Sequence, residues 1–568
     1  MKPVIREYLA SLRERGELDA MLPELISELG YTVFSRPSRG TRQFGVDVAA
    51  VGPGSDDRIY LFSIKRGDLT RSEWNGNSDQ ALRPSLDEIL DAYIPNHLPP
   101  EHREKNIVIC PCFGGEVSEA AHETFNTYMR TKTTDKITFA VWNGDRIAGL
   151  LEDGLLREGL LSPSMRSSLR KAIALSDEAD ASFAHFSRLV RALTDEAISG
   201  PLSKRLTVAR QITISLWMLF SWSREQGNLE SSYRASEYAI LKLWEFGNEV
   251  LSSGNRSAED MGLVLVTLVD LHFQIWDEII GKKILPHSSG IYAISAAIHT
   301  ASPLDINLKL FDIMGRLALH GLWRVWGDGR SRDLSALFDG CSTDLRIQNL
   351  ANHLVELVVN NPALLTPVTD AQVIDLSLGF LFLTASGGRK QQLQLWIGEI
   401  AQRSDFAYRF GGRFPCTLRS YRELAHHPRA DDDGYLKKVT AGSVLLPVLS
   451  LWAASLGDTK TLETVASLKK DILEHCTAQL WLPDEDSEVG LCRGGNDHGA
   501  ALLDIPLTGD GPGLLDHVRR ECVPETPFFE LSAIKADFWP LVLLACRHHR
   551  LPVPPHFFFQ AFQTMKQN

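Results

Sequence analysis

The sequence predicts an α/β unit with a mixed central sheet flanked by helices over residues 1–165, followed by a large all-α region. Three observations predict this. Strand and helix signals alternate between Leu18 and Leu151. From about Ser167 onward the pattern is a succession of helical periods. Between the two, Ser162-Pro163-Ser164 supplies turn formers at the change.

The elements follow in order. Leu18, Met21, Leu22, Leu25, Ile26 and Leu29 recur at helical spacing, and Gly30 stands where a helix C-cap belongs. The period then shortens, giving Tyr31-Thr32-Val33-Phe34 as one strand and Gly45 to Val51 as a second, with Arg36, Arg39 and Arg42 in the loop between them. Gly52-Pro53-Gly54-Ser55-Asp56-Asp57 is dense in turn formers and precedes the β-branched and aromatic run Ile59 to Lys65, so the pair reads as a hairpin. Ile107 to Cys110 and Ile137 to Trp142 are two further strands around a helix-like stretch near Val117 to Met129, and Arg146 to Leu151 closes the unit.

Beyond it, Val208 to Ser223, Tyr233 to Leu251, Met261 to Ile280, Leu308 to Trp326 and Leu345 to Val359 all read as helices. No fixed repeat recurs, so the pattern does not demonstrate a solenoid. The polar stretch His426 to Gly434 divides this region into a helical domain at 166–430 and a helical C-terminal region at 431–568, in which the Gly-, Pro- and Asp-rich 480–529 predicts long loops.

Composition restricts the function classes. The chain is 44% hydrophobic and 23% charged with a mean hydropathy of −0.10, near the soluble globular average and against long disordered tracts. Its net charge of −12 is unsuited to coating nucleic acid, which needs clustered Lys and Arg. Residues 1–160 carry 19 Lys and Arg against 25 Asp and Glu, so any phosphate contact must be local. The charged start Met1-Lys2-Pro3-Val4-Ile5-Arg6-Glu7 lacks a signal-peptide core. The most apolar runs, Val444 to Ser455 and Phe538 to Cys546, are shorter than the roughly 18 residues a membrane span needs, so no membrane partner is expected. Eight cysteines without a regular framework fit a reduced, cytoplasmic setting, and Cys110-Pro111-Cys112 lacks the second pair or His spacing of a zinc site.

One constellation carries chemistry. Hydrolysing a phosphodiester near neutral pH takes a divalent cation, an activated water and a positive charge for the transition state. Folding the hairpin about Gly54 brings Asp47 opposite Phe62 or Ser63, and strand alternation puts Ser63 and Lys65 on one face. An acid on the preceding helix would complete a metal site. Of Glu17, Asp19 and Glu24, helical phase puts Asp19 at the edge of the apolar face, whereas Glu17, Glu24 and Glu28 are expected to face water.

Residues 10–160 resemble the PD-(D/E)XK nuclease superfamily, particularly its Mrr-type restriction endonuclease branch. The resemblance rests on the helix ending Leu29-Gly30-Tyr31, the Gly45-Val46-Asp47 step, the Ser63-Ile64-Lys65 strand end and the late Trp142-Asn143-Gly144-Asp145. It implies a restriction-endonuclease-like fold, Mg²⁺ (or Mn²⁺) as cofactor and DNA as substrate. It also implies Asp47 and Asp19 as metal ligands and Asp47, Ser63 and Lys65 as the catalytic set. The sequence departs from the family at Ser63, where Asp, Glu or Gln is expected. A serine hydroxyl is a weak, neutral ligand, so a nearby acid such as Asp57, Asp68 or Glu73 is a candidate substitute. Loss of catalysis is the other consequence, leaving a degenerate nuclease fold that binds nucleic acid or serves as a scaffold.

Arg39, Arg42, Arg66 and Arg71, with Arg36, flank these residues in sequence and are candidates for holding a phosphate backbone. The helical region is expected to sense a signal, to build a homo-oligomer or to dock a partner protein, and nuclease domains fused in this way resemble bacterial antiphage or restriction effectors. Elsewhere, Cys492 and His498 share one loop, but neighbours in sequence are weak evidence of a catalytic pair. His426-His427 and His548-His549 lack ligand spacing, and Trp217, Trp222, Trp244 and Trp276 fall on helical apolar faces, where they read as core.

Overall fold

The computed structural model describes residues 18–36, 44–76, 81–151, 162–254, 256–298, 300–329, 342–429, 434–495 and 497–565, together with Arg6, Leu9 and Leu334. The chain divides into two compact units, 1–275 and 276–568.

In the first unit, helix α1 (Asp19–Glu28) ends as its sequence predicts. Gly30 adopts a left-handed φ of 87°, its N–H bonds Ser27 O, and the Tyr31 N–H bonds Ile26 O, which satisfies the last carbonyls of the helix. Strands β1 (Thr32–Ser35), β2 (Val48–Val51) and β3 (Ile59–Lys65) form an antiparallel meander, with a register shift between Val33 and Ser35. Short helices α2 (Arg71–Asn75) and α3 (Leu82–Glu88) and a π-helical continuation (Ile89–His97) carry the chain to β4 (Ile107–Phe113), which is parallel to β3. Helix α4 (Glu119–Lys132) leads to β5 (Ile137–Phe139), parallel to β4, and α5 (Gly144–Leu150) follows. The five strands lie in sequence order, a mixed sheet flanked by helices.

All seven residues of β3 and all seven of β4 are buried, as befits central strands covered on both faces. On one face Ala49, Leu61, Ile109 and Phe113 pack with Trp74, Leu86 and Phe125 from the helices. On the other, Tyr31 meets Tyr60 edge-on at 5.0 Å, and Phe62 meets Trp142 at 5.1 Å. Sequence ended the fourth strand at Cys110, but pairing continues through Pro111, whose missing N–H costs no ladder bond to β5 because β5 has already ended at Phe139. The late strand stops short of Trp142, which keeps only an isolated bridge to Cys112.

Five helices follow in this unit: α6 (Pro163–Ala174), α7 (Ala179–Ile198), α8 (Leu202–Glu225), α9 (Glu230–Leu251) and α10 (Arg256–Trp276). Ser162 caps α6 through the Met165 N–H, with Pro163 at the first helical position, so the predicted boundary signal is a helix start.

The second unit is built around α11 (Pro303–Gly327), α12 (Leu345–Asn360), α13 (Val373–Ser386) and α14 (Lys390–Phe410). Helix α13 is buried almost all round, and it approaches α11 so closely that a Cβ at Gly321 would stand 2.3 Å from the Phe382 ring. The segment 480–529 corrects the long-loop expectation. It folds a hairpin of Leu480–Leu482 with Ala500–Leu502 and helices Ser487–Arg493, Gly511–Arg519 and Pro527–Glu530. Its Gly and Pro residues serve helix starts and turns, as Asp510-Gly511-Pro512 does. Among the described residues, no helix is long and apolar enough to cross a membrane.

Candidate functional site

The predicted register holds. Val48 pairs Phe62 and the Asp47 N–H bonds Phe62 O at 2.9 Å, so Asp47 stands across from Ser63. Antiparallel partners share a face and β3 alternates, so Asp47, Ser63 and Lys65 project from the same side of the sheet, at the carboxyl end of β3.

The backbone before Asp47 sets this up. Gly45 has φ 77°, and a Cβ there would lie 2.0 Å from the Ser85 carbonyl oxygen and 3.1 Å from the Ile89 side chain. Only glycine lets the chain pass this close under α3 and enter β2 at Asp47. One carboxylate oxygen of Asp47 then accepts the Ile64 N–H at 2.7 Å, a charge-assisted bond that fixes the side chain across the strand end.

Lys65 is 6% exposed and Ser63 1% exposed. The Ser63 hydroxyl has no hydrogen-bond partner among the described residues. A buried hydroxyl in that state costs about 1–3 kcal/mol, so this oxygen is the orphaned polar atom of the site.

The acids proposed to stand in for a carboxylate at Ser63 divide. Asp57 lies in the turn at the opposite end of the hairpin, about 20 Å along β3 at 3.3 Å per residue, and is excluded. Asp68 is exposed and accepts the Glu116 N–H at 2.8 Å, and Glu73 sits in the first turn of α2, capped by Thr70. Asp19 is partly buried in the first turn of α1. Among the described residues no group of three or more His, Cys, Asp or Glu is placed to hold a metal ion.

Helical phase misjudged Glu24 and Glu28. Glu24 is 1% exposed rather than facing water. Its two oxygens meet Arg36 Nη1 at 2.7 Å and Arg210 Nε at 3.0 Å, while Arg210 Nη1 reaches Glu28 at 2.9 Å. Arg210 belongs to α8, so this ion network joins the sheet-bearing part of the unit to its helical part. The same contact gives Arg36 a carboxylate partner. Arg66 and Arg71 are exposed next to the site strand; Arg39, Arg42 and Glu17 lie outside the described residues.

The other sequence candidates resolve as structure. Cys110 and Cys112 are fully buried and burial pushes both thiols well up, which fits core residues. His427 is buried between Tyr435 OH at 2.9 Å and Phe414 O at 2.8 Å. Trp217, Trp244 and Trp276 are buried, and Trp222 partly so. The His498 ring contacts Ser487 Oγ at 3.2 Å, and that serine hydroxyl is bonded to Asp484 in the turn before the helix, a local side-chain network.

No protein-family model, curated protein or solved structure matches this chain.

Proposed function

We propose that the first unit is a metal-assisted nuclease that hydrolyses phosphodiester bonds of DNA, with Asp47 and Lys65 as its working pair. The observation that carries the reading is the shared face of Asp47, Ser63 and Lys65 at one strand end, with the lysine drawn almost wholly out of solvent. A cation on the same face as a fixed carboxylate is what phosphate-ester hydrolysis uses.

The donor set suits Mg²⁺ (or Mn²⁺) held jointly with substrate. Mg²⁺ is commonly bound through one or two carboxylates, waters and substrate phosphate oxygens. Asp47 would supply a carboxylate oxygen, the orphaned Ser63 hydroxyl a neutral one, and Asp19 is the second carboxylate that the resemblance implies. When bound, the ion would neutralise phosphate charge and make a water a better nucleophile. Lys65 then presents its N–H donors to the oxygens on which charge grows as the phosphorus becomes five-coordinate. The Asp47 carboxylate, held by the Ile64 N–H, keeps its orientation during the reaction. Arg66 and Arg71, exposed next to the site strand, would hold the flanking phosphates. The helical part supplies control through sensing, self-association or a partner protein, in a genome-defence effector.

One observation favours a second reading, a nuclease fold that binds nucleic acid without cutting it: the neutral, buried Ser63 where a carboxylate is the stronger ligand. Plasmid and linear DNA incubated with Mg²⁺ or Mn²⁺ and wild type, Asp47→Ala or Lys65→Ala separates the two. Cleavage by wild type alone supports the nuclease. DNA binding without cleavage by all three supports the binding module, and equal cleavage by all three defeats the assigned residues.

A further inference from the structure

Shortly before Asp47 the chain carries an aromatic stack. The Phe44 ring lies against the His97 imidazole, with centroids 4.0 Å apart and planes 17° from parallel. Phe44 is partly buried and His97 is exposed, so the imidazole is the outer ring of the pair. Phe44 covers one of its faces, which leaves the other toward solvent. Tyr93 flanks the imidazole at 6.5 Å, tilted by 36°.

The stack stands on a fixed backbone. Gly45 passes within reach of Ile89, the first residue of the π-helical continuation, and Phe44 stacks on His97, its last. The approach to β2 is therefore tied to both ends of that segment. Leu98, next to His97, is 1% exposed in the core, and its N–H bonds Tyr93 O at 2.9 Å. Two features mark the place as more than packing. A π-helical run is rare and is frequently found at functional sites. Phe44 holds a left-handed φ of 49°, a strained conformation for phenylalanine of the kind that collects at ligand sites.

The position also fits a substrate contact. The chain from Phe44 to Asp47 spans at most about 10 Å, which is about three stacked nucleotides at roughly 3.4 Å each. Bases inside a duplex offer only their edges in the grooves. A ring face is met by a base that has left the stack, as in a single strand. Residues 1–160 carry 19 Lys and Arg against 25 Asp and Glu, a balance that disfavours a ligand held by its phosphates alone and favours one held also by its bases.

We propose that His97, backed by Phe44, is a platform on which an unpaired base stacks beside the phosphate at Asp47. The substrate is then a single strand or a duplex with an unpaired stretch. The inference rests on the nuclease reading for the place of that phosphate, and the platform itself is tested by binding alone.

The test uses the full chain in EDTA, where metal-assisted cleavage is switched off, and follows the anisotropy of fluorescein-labelled DNA. The probes are a short single strand of mixed sequence, its blunt duplex, and an abasic strand of equal length with the same phosphates. The single strand should bind at least about fivefold more tightly than the abasic strand, the lower end of what one stacked base contributes. It should also bind more tightly than the duplex. His97→Ala should abolish the preference for bases and leave the abasic strand unaffected, and His97→Trp, which keeps a ring plane, should retain the preference. Single-strand binding no tighter than that of the abasic strand or the duplex, an unchanged preference in His97→Ala, or its loss in His97→Trp overturns the proposal. Plasmid cleavage with Mg²⁺ decides the nuclease reading separately: a base preference without cleavage keeps the platform and strikes that reading, and cleavage without a base preference does the reverse.

Discussion

Replacing Arg210 by Met should destabilise the first unit by about 3 kcal/mol. The side chain is 9% exposed and makes two charge-assisted bonds, to Glu24 at 3.0 Å and Glu28 at 2.9 Å. Removing one partner of a buried ion pair costs about 3–5 kcal/mol, because the remaining charge is stranded. Arg36 still neutralises one oxygen of Glu24 but is itself 26% exposed, which sets the expectation at the lower end. Methionine keeps most of the stem volume, so packing loss is minor. For a unit of 275 residues the loss corresponds to a fall of roughly 5 °C in the thermal midpoint, read by circular dichroism together with the urea midpoint. Adding Glu24→Gln and Glu28→Gln to Arg210→Met should recover part of the loss, since the two carboxylates left without Arg210 are then neutral and only the partly exposed Arg36 gives up its Glu24 pairing. Lys204→Met, which breaks the exposed pair with Glu196, should cost under about 0.5 kcal/mol. If Arg210→Met behaves like Lys204→Met, the network does not join the sheet to the helices as described.

Three further outcomes follow from the same geometry. Gly45→Ala should lower stability by several kcal/mol or prevent folding of the sheet, because the new Cβ would stand 2.0 Å from the Ser85 carbonyl oxygen at a positive φ; a urea midpoint like that of wild type would remove the steric argument. In the second unit, burial lowers the His556 imidazole from its ordinary 6.5 to about 3. A base depressed by folding binds its proton more readily when unfolded, so its contribution is full above about pH 6.5 and is lost as pH falls toward 3. That amounts to about 2 kcal/mol by pH 5, and His556→Gln should flatten this slope; an unchanged slope would show that His556 is not its source. Arg66→Gln with Arg71→Gln should weaken DNA binding evenly across sequences and reduce the salt slope by about one per lost contact, whereas an unaltered slope would remove both arginines from the interface.

What the sequence made legible was what short-range pattern decides. Helix α1 and its Gly30 terminus, the hairpin about Gly54 and the common face of Asp47, Ser63 and Lys65 all follow from periods of 3.6 and 2 and from turn chemistry. The long helices from Leu202 onward were legible for the same reason. Long-range contacts were not. Glu24 looked solvated because its partner Arg210 lies 186 residues away, and a charge on a helix flank carries no mark of a distant guanidinium. The steric demand on Gly45 comes from Ser85, on an element whose position only the fold supplies. The strand end at Pro111 was misplaced because proline lowers strand preference, while the β3 register carries pairing through it.

The central claim is that Asp47 acts on a phosphodiester, and Asp47→Asn tests it most directly. An asparagine oxygen can still accept the Ile64 N–H that the carboxylate accepts at 2.7 Å, so the strand end should persist while the negative charge is removed. The measurement is the single-turnover rate of plasmid cleavage in Mg²⁺, with the thermal midpoint recorded on the same sample. A loss of about 100-fold or more at a near-wild-type midpoint is the predicted result. Cleavage within about threefold of wild type would contradict the account and place the chemistry of this chain elsewhere.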